Sequence, residues 1–230
     1  MIPPVSRVRW RRAYRLIRTV YPPVNLFEDI ADPADWELLA EAEAKTNPRV
    51  RDDIGAIHLV PPARRVSGPA SWVMAPFCHV SRDRPTRFGD GSYGVYYAGN
   101  RFEVALAETV YHFERFMAAT EEEPATADYR ELVGGMGAEL HDLRGADEFR
   151  PALNPDDYTA GQALAADLRE RHSSNGIVYP SVRWSRGQAV AAFWPHVVGI
   201  PVRARLLCYR WDGRRVDAWL PYGEERWRRL

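Results

Sequence analysis

The strongest repeating pattern of apolar positions predicts a helix that begins near Phe102. Apolar side chains recur there at spacings of 4, 4, 3 and 4, which places them on one face of an α-helix packed on a core. These side chains are Phe102, Leu106, Val110, Phe113 and Met117. The acidic run at 121–123 and Pro124 should end this helix. Further helices are predicted over 34–45 and 157–172.

Short apolar segments predict strands through much of the remaining chain. They lie at 93–98, 130–133, 139–143, 176–179, 189–194, 202–211 and 216–220. Asp212-Gly213 joins the last two segments and is typical of a two-residue β-hairpin. The proline-marked segment 61–76 reads as irregular. Because strands outnumber helices and mostly follow one another, we expect an α+β fold rather than a doubly wound parallel sheet.

The composition is that of one compact globular domain. The 230 residues are 46% hydrophobic and 27% charged, and the formal net charge of +0 gives no overall attraction to nucleic acid or anionic lipid. Cys78, Cys208 and the histidines show no metal-ligand spacing, and the two cysteines do not suggest a disulfide framework. No apolar run is long enough to cross a membrane and the chain does not open on a secretory signal, so we expect a cytoplasmic protein.

Five arginines crowd the start of the chain. They are Arg7, Arg9, Arg11, Arg12 and Arg15, with Trp10 and Tyr14 between them. We expect a solvated arm or a first helix here, and the alternative is contact with a phosphate backbone.

Glu108 is the first candidate for chemistry. It is the one charged side chain between Val104 and Tyr111, in a helix that is apolar nearly all round and should be buried on both sides. A carboxylate in that setting either faces a cleft, where it could serve catalysis, or forms a buried salt bridge with an arginine.

Two further residues are weaker candidates when each is taken alone. Arg87 precedes a glycine-bracketed loop, where a guanidinium could bind a phosphate bidentately, although it could equally be an ordinary loop arginine. Ser181 ends an apolar strand, where its hydroxyl would either face a site or cap the strand. Arg183 could assist with phosphate or pair with an acidic neighbour.

Taken together, these residues resemble the RES domain family, named for its Arg, Glu and Ser. The family's motifs are matched in order by Arg87-Phe88, by Val95-Tyr96-Tyr97-Ala98, by Ala105-Leu106-Ala107-Glu108 with His112, and by Tyr179-Pro180-Ser181. The intervals of 10 residues from Arg87 to Tyr97 and 11 from Tyr97 to Glu108 also fit. Tyr14-Arg15 resembles the family's opening strand, and Pro85-Thr86 stands where the family often has two glycines.

The resemblance implies an ADP-ribosyltransferase-like fold with mixed and antiparallel sheets flanked by helices. It also implies a toxin that consumes NAD+ by phosphorolysis or hydrolysis, with NAD+ as substrate, inorganic phosphate as co-substrate, and no separate cofactor or metal. Glu108 would stabilise the ribose oxocarbenium ion, and Arg87 would hold the diphosphate or the incoming phosphate. Tyr97 would position the nicotinamide ribose, with Tyr93 and Tyr96 as rivals for that role. Ser181 would orient the ribose or the nicotinamide amide, and His112 would contact the substrate or orient Glu108.

The resemblance further implies an Xre-type helix-turn-helix antitoxin as partner, assembly as a homodimer or larger toxin-antitoxin complex, and no direct binding of membrane or nucleic acid. Residues 1–75 would be a helical extension packed on the same domain, and 76–230 the RES domain. Two alternatives stay open. One is a mono-ADP-ribosyltransferase that modifies a macromolecule, and the other is a non-catalytic nucleic-acid-binding module.

Overall fold

The computed structural model describes residues 1–20, 38, 55–67 and 71–230, which form a mixed α+β fold, as predicted. The strands are β1 (Val5–Arg18), β2 (Tyr96–Gly99), β3 (Ala125–Asp142), β4 (Gly176–Pro180), β5 (Gln188–Ala192), β6 (Val202–Trp211), β7 (Val216–Pro221) and β8 (Arg228–Arg229). The α-helices are α1 (Ser71–Cys78), α2 (Phe102–Thr120) and α3 (Thr159–Arg171). Short 3-10 helices lie at Ile57–Leu59, Pro62–Arg64, Asp147–Leu153 and Pro195–Val197. The helix predicted over 34–45 lies outside the described residues, apart from Leu38.

The strands form one sheet that partly closes on itself. Its order is β1-β2-β5-β4-β3-β6-β7-β8, and β1 also pairs with β3, so that β1, β2, β5, β4 and β3 complete a ring. The β3–β4 pair is parallel and every other named pair is antiparallel. Strands β6 to β8 continue the sheet from β3. The ring joins the start of the chain to its middle and brings β1 beside β2, where Tyr14 lies opposite Gly99.

The arginine-rich start is a strand of this sheet, so the expectation of an arm or a helix is wrong for β1. It pairs antiparallel with β3 from Val5, opposite His141, to Arg18, opposite Tyr129. Val8, Ala13 and Leu16 are buried, whereas Arg7, Arg9, Arg11 and Arg12 are exposed. A register shift after Trp10 changes which residues face inward. The strand was not predicted because its apolar residues are few and do not alternate regularly with polar ones.

Two further predictions need correction. The predicted segment 130–133 and all but the last residue of 139–143 are parts of the single strand β3, which runs through Gly134, Gly135 and Gly137. A Cβ on Gly134 would lie 2.8 Å from the Gly199 oxygen, so glycine allows the following chain to approach closely there. The segment read as irregular contains α1, because burial of Val73, Met74 and Phe77 outweighs the presence of Pro76 within the helix.

The predicted stripe on α2 is confirmed as a packing face. Leu106, Phe113 and Met117 are buried in one cluster with side chains of β3, β6 and β7, while Phe102 and Val110 pack at its edge. Val104 belongs instead to the cluster under β4 and β5. Helix α2 therefore packs against two apolar clusters, one through Val104 and the other through Leu106, Phe113 and Met117. Glu108 lies on the same helix.

Candidate active site

Four of the residues singled out from sequence line one cavity of about 340 Å³. It lies between the second half of β1, strand β2, the first turns of α2 and the loop at 84–87. Its polar wall includes Arg15, Arg87, Tyr97, Glu108, His112 and Tyr179. Ser181 is not among the residues that line it. The fold thus brings together polar residues as far apart in the chain as Arg15 and Tyr179, which are 164 positions apart.

Glu108 projects into this cavity without a hydrogen-bonding partner. Its Oε1 atom is buried and unpartnered, and no described arginine forms an ion pair with it. The burial raises the pKa of Glu108, while the charges of Arg87 and Arg183 act in the opposite direction. The structure therefore places the carboxylate in a cleft and does not show the buried salt bridge that was the alternative.

Arg87 is a buried cation that lines the same cavity. Its side chain is only 6% exposed, its Nη1 donates to the Asn154 carbonyl, and its Cζ lies 4.9 Å from the centre of the Tyr158 ring. Carbonyl and ring contacts orient a guanidinium without neutralising it. Arg87 therefore keeps its positive charge available to an anion in the cavity.

Two tyrosines hold the loop that carries Arg87. The Phe88 backbone N–H donates to the Tyr97 hydroxyl over 3.0 Å, and that hydroxyl donates to Thr86 Oγ1 over 2.9 Å. The Tyr93 hydroxyl donates to the Phe88 carbonyl over 3.0 Å. Burial raises the pKa of Tyr97 to about 12, so its hydroxyl stays protonated. Phe88 is thus fixed at both its backbone groups, and Arg87 with it.

The structure separates the three tyrosines that competed for one role. Tyr97 lines the cavity, while Tyr96, the next residue along β2, belongs to the core cluster on the other side of the strand. Tyr93 packs in the cluster beneath the loop, edge-on to Phe193. Of these three side chains, only Tyr97 reaches both the cavity and the Arg87 loop.

Arg15 is a cavity residue to which the sequence assigned no role. It enters from β1, donates from Nη1 to the Tyr97 carbonyl over 2.9 Å, and lies 4.7 Å from the centre of the Tyr96 ring. Its Nε is buried without a partner, and burial lowers its pKa. The Tyr-Arg pair in the opening segment was the available signal, but its meaning depended on the pairing of β1 with β2.

His112 lies one turn beyond Glu108, on the outer part of the same wall. Its ring is edge-on to Tyr111, with 5.3 Å between the ring centres. Partial desolvation and the neighbouring charges of Arg183 and Arg115 lower the pKa of His112 to about 4. The imidazole is therefore neutral at neutral pH and can donate or accept a hydrogen bond without adding charge.

Ser181 lies outside the cavity lining and stabilises the turn that follows β4. It follows the end of β4, where its backbone N–H donates to the Gly187 carbonyl over 2.9 Å and its hydroxyl accepts from the Trp184 N–H over 3.1 Å. The wall itself is formed by Tyr179, two residues earlier in β4, whose ring packs edge-on against Phe88. The sequence missed Tyr179 because a tyrosine in an apolar strand has no feature that separates it from core.

The described part of the chain contains no group of three or more His, Cys, Asp or Glu side chains placed to hold a metal ion. Within those same ranges, no helix is long and apolar enough to span a bilayer.

The fold and the cavity define an α+β protein with a buried, unpartnered carboxylate facing arginines and tyrosines. The chain belongs to the RES domain family, whose model matches residues 62–212. It is also 26% identical over 206 residues to "Uncharacterized protein y4oC" of Sinorhizobium fredii (strain NBRC 101917 / NGR234), covering 89% of this chain and 84% of that protein. The family match begins after β1, so Arg15 reaches the cavity from outside the matched range.

Proposed function

We propose that this chain cleaves the bond between nicotinamide and ribose in NAD+ and transfers the ADP-ribosyl group to inorganic phosphate, with water as the slower acceptor. The observation that carries the proposal is the unpartnered Oε1 of Glu108, buried in a cavity that is also lined by three arginines, Arg15, Arg84 and Arg87. A buried carboxylate without an ion pair is destabilising, so its position points to chemistry rather than to packing.

The reaction suits a site with one carboxylate. Nicotinamide leaves a cationic pyridinium as a neutral molecule, so no acid is needed to protonate it, unlike the leaving group of an ordinary glycoside. The positive charge that develops on the ribose is stabilised by an ionised carboxylate nearby, and more strongly where water is excluded. Glu108 fills this role, and one of its oxygens accepts a hydrogen bond from a ribose hydroxyl.

The other residues bind and orient the substrate. Arg15 and Arg87 are the cations that face the diphosphate, since neither is neutralised by a described carboxylate. Tyr97 lies against the nicotinamide ribose and fixes the Arg87 loop. Neutral His112 contacts the substrate from the outer wall. Ser181 acts as a positioning residue through the turn behind Tyr179.

We also propose a cellular role and a protein partner for this chain. The chain would act as a cytoplasmic toxin that depletes NAD+, and a helix-turn-helix antitoxin would cover the mouth of the cavity. A wider depression of about 1100 Å³ adjoins the cavity and shares Arg15, Arg84 and His112 with it, which supports access from that side. Phe116 on its rim is 46% exposed and offers an apolar contact.

The direct test is to incubate the purified protein with NAD+, with and without inorganic phosphate, and to separate nicotinamide, ADP-ribose and ADP-ribose-1″-phosphate by chromatography. We expect the phosphorylated product to form in a phosphate-dependent way. Glu108→Gln should lower the rate by about 100- to 1000-fold, the loss typical of removing one electrostatic stabiliser. Glu103→Gln, at an exposed position on the same helix, is the control and should retain activity.

Two results would contradict the proposal. If Glu108→Gln turned over NAD+ as fast as the unaltered protein, the carboxylate would not be catalytic. If the folded, unaltered protein left NAD+ intact under all conditions, the acceptor would have to be a macromolecule, as in a mono-ADP-ribosyltransferase, or the chain would not be an enzyme.

A further inference from the structure

Arg183 is a further arginine near Glu108, and the proposed mechanism assigns it no role. It follows β4 by three residues, its Cζ lies 3.4 Å from the centre of the Tyr111 ring, and its Nη2 donates to the Pro155 carbonyl over 2.6 Å. Its Nε is buried without a partner. No described carboxylate forms an ion pair with it, so it is not the paired arginine that was one alternative.

Arg183 and Arg87 are held in matching ways on one short stretch of chain. Arg87 donates to the carbonyl of Asn154 and lies over Tyr158, while Arg183 donates to the next carbonyl, that of Pro155, and lies over Tyr111. Consecutive α-carbons are about 3.8 Å apart, so the two guanidiniums are attached at neighbouring points. Each uses one terminal nitrogen on a carbonyl and keeps other N–H donors free.

This pair lies beside the catalytic carboxylate. Tyr111, which supports Arg183, is three residues beyond Glu108 on α2, so the two side chains are neighbours on the helix surface. Arg87 lines the same cavity as Glu108. Both arginines act on Glu108 electrostatically, since each opposes the rise in its pKa.

Phosphorolysis makes a demand that hydrolysis does not. A phosphate dianion must approach the ribose beside an ionised carboxylate that repels it, whereas water carries no charge. Arg183 is not among the residues that line the cavity, but it is anchored one residue along the chain from the anchor of Arg87. Two guanidiniums anchored on adjacent carbonyls are suited to bind such an oxyanion, since arginine binds phosphate through paired N–H donors.

We propose that Arg183, together with Arg87, forms the binding site for the inorganic phosphate that attacks the ribose. The inference rests on the proposed function. In the step, an oxygen of HPO4²⁻ forms a bond to ribose C1″ while the bond from C1″ to the pyridinium nitrogen breaks and leaves its electron pair on that nitrogen. Neutral nicotinamide departs, and the phosphate's own proton stays on the new monoester or passes to solvent.

The test compares KM for inorganic phosphate with KM for NAD+ in the variant Arg183→Gln. We expect its KM for inorganic phosphate to rise by about 10- to 100-fold, as for the loss of charge-assisted hydrogen bonds. Its KM for NAD+ should change several-fold less than its KM for phosphate, because the diphosphate of NAD+ is assigned to Arg15 and Arg87. The product should shift from ADP-ribose-1″-phosphate to ADP-ribose.

Two further variants serve as a matched control and a conservative substitution. Arg186→Gln removes the same charge from an exposed position in the same loop and should behave like the unaltered protein. Arg183→Lys keeps the charge but loses the paired donors, and should be intermediate in KM for phosphate; it replaces Arg183→Gln if that variant fails to fold. Equal losses with NAD+ and with phosphate, or equal effects of Arg186→Gln, would overturn the inference.

A binding measurement keeps this inference distinct from the proposed function. Inorganic phosphate is titrated into the protein, followed by ³¹P NMR and calorimetry, without NAD+. Saturable binding that Arg183→Gln weakens and Arg186→Gln does not supports the phosphate site, even if the protein leaves NAD+ intact. Absent binding, or binding unaffected by Arg183→Gln, overturns the site even if NAD+ is cleaved.

Discussion

Removing the Tyr97 hydroxyl should loosen the Arg87 loop and lower the stability of the whole domain. In Tyr97→Phe, the Phe88 N–H loses its acceptor at 3.0 Å, and Phe88 is 0% exposed, so water cannot replace it. An unsatisfied buried donor costs about 1–3 kcal/mol. Thr86 Oγ1 still donates to the Gly89 carbonyl, so the second lost bond adds little. We expect a loss of about 2 kcal/mol in the free energy of unfolding, or a Tm lower by about 4–8 °C for a chain of this size.

The assay is thermal and denaturant unfolding, followed by KM for NAD+ if the unaltered protein is active. Tyr222→Phe is the control, because its hydroxyl donates to Asp128 over 2.8 Å at an exposed position and should contribute less than about 1 kcal/mol. KM for NAD+ should rise in Tyr97→Phe, since Arg87 loses its fixed position. Unchanged stability together with unchanged KM would show that the hydroxyl does not hold the loop.

Two other changes test the supports and the charge of the cavity. A Cβ on Gly161 would lie 2.5 Å from the Arg87 oxygen, so Gly161→Ala should displace the loop, lower Tm and weaken NAD+ binding, whereas Gly137→Ala, with nothing within 4 Å, should not. The raised pKa of Glu108 means that folding favours its protonated form, so its stabilising effect is present in acid and is lost as the pH rises through that pKa. Glu108→Gln should therefore be more stable than the unaltered protein at neutral pH, and the difference in Tm should vanish in acid. Equal Tm values throughout would mean that the carboxylate is not desolvated.

Local patterns were sufficient where an element's own residues determine it. The stripe on α2 predicted its start at Phe102 and its end before Glu121, and Asp212-Gly213 predicted the position of the hairpin between β6 and β7. The predicted two-residue loop is wrong in length, since four residues, 212–215, separate the paired Trp211 and Val216. In that turn the Asp212 side chain accepts from two backbone N–H groups, and Gly213 has a φ of 97°, which favours glycine.

Features that depend on distant pairing were missed. The strand that the family resemblance implied at Tyr14-Arg15 is confirmed as the end of β1. The arginine-rich first part of β1 was missed, because it is held by its ladder with β3, more than a hundred residues away, and its own residues predict no strand. Helix α1 depends on burial of Phe77 and its neighbours, which a proline-based interpretation could not anticipate. Predicting these elements would have required the sheet order, which single-segment patterns do not contain.

The residues of the candidate site also differ in how far the sequence predicted them. Arg87, Tyr97 and Glu108 lie within 22 residues of sequence, and their order was sufficient to propose them together. Arg15 and Tyr179 come from strands that the ring of the sheet brings to the cavity. Both residues stand in short motifs that the sequence analysis noted, but those motifs did not show that the two side chains line the cavity.

The partners of the arginines distinguish the scaffold from the cavity. Three scaffold arginines are neutralised by carboxylates at 2.5–2.7 Å, in the pairs Arg144–Asp142, Arg205–Glu131 and Arg210–Asp217. Arg15 and Arg87 in the cavity lining, and Arg183 near Glu108, contact described carbonyls and aromatic rings instead. These arginines carry more positive charge than the single carboxylate of Glu108 offsets, and a bound polyanion would relieve that excess. The diphosphate of the dinucleotide and an incoming phosphate together supply the negative charge that offsets these arginines. A site that bound water alone as acceptor would not need so many arginines.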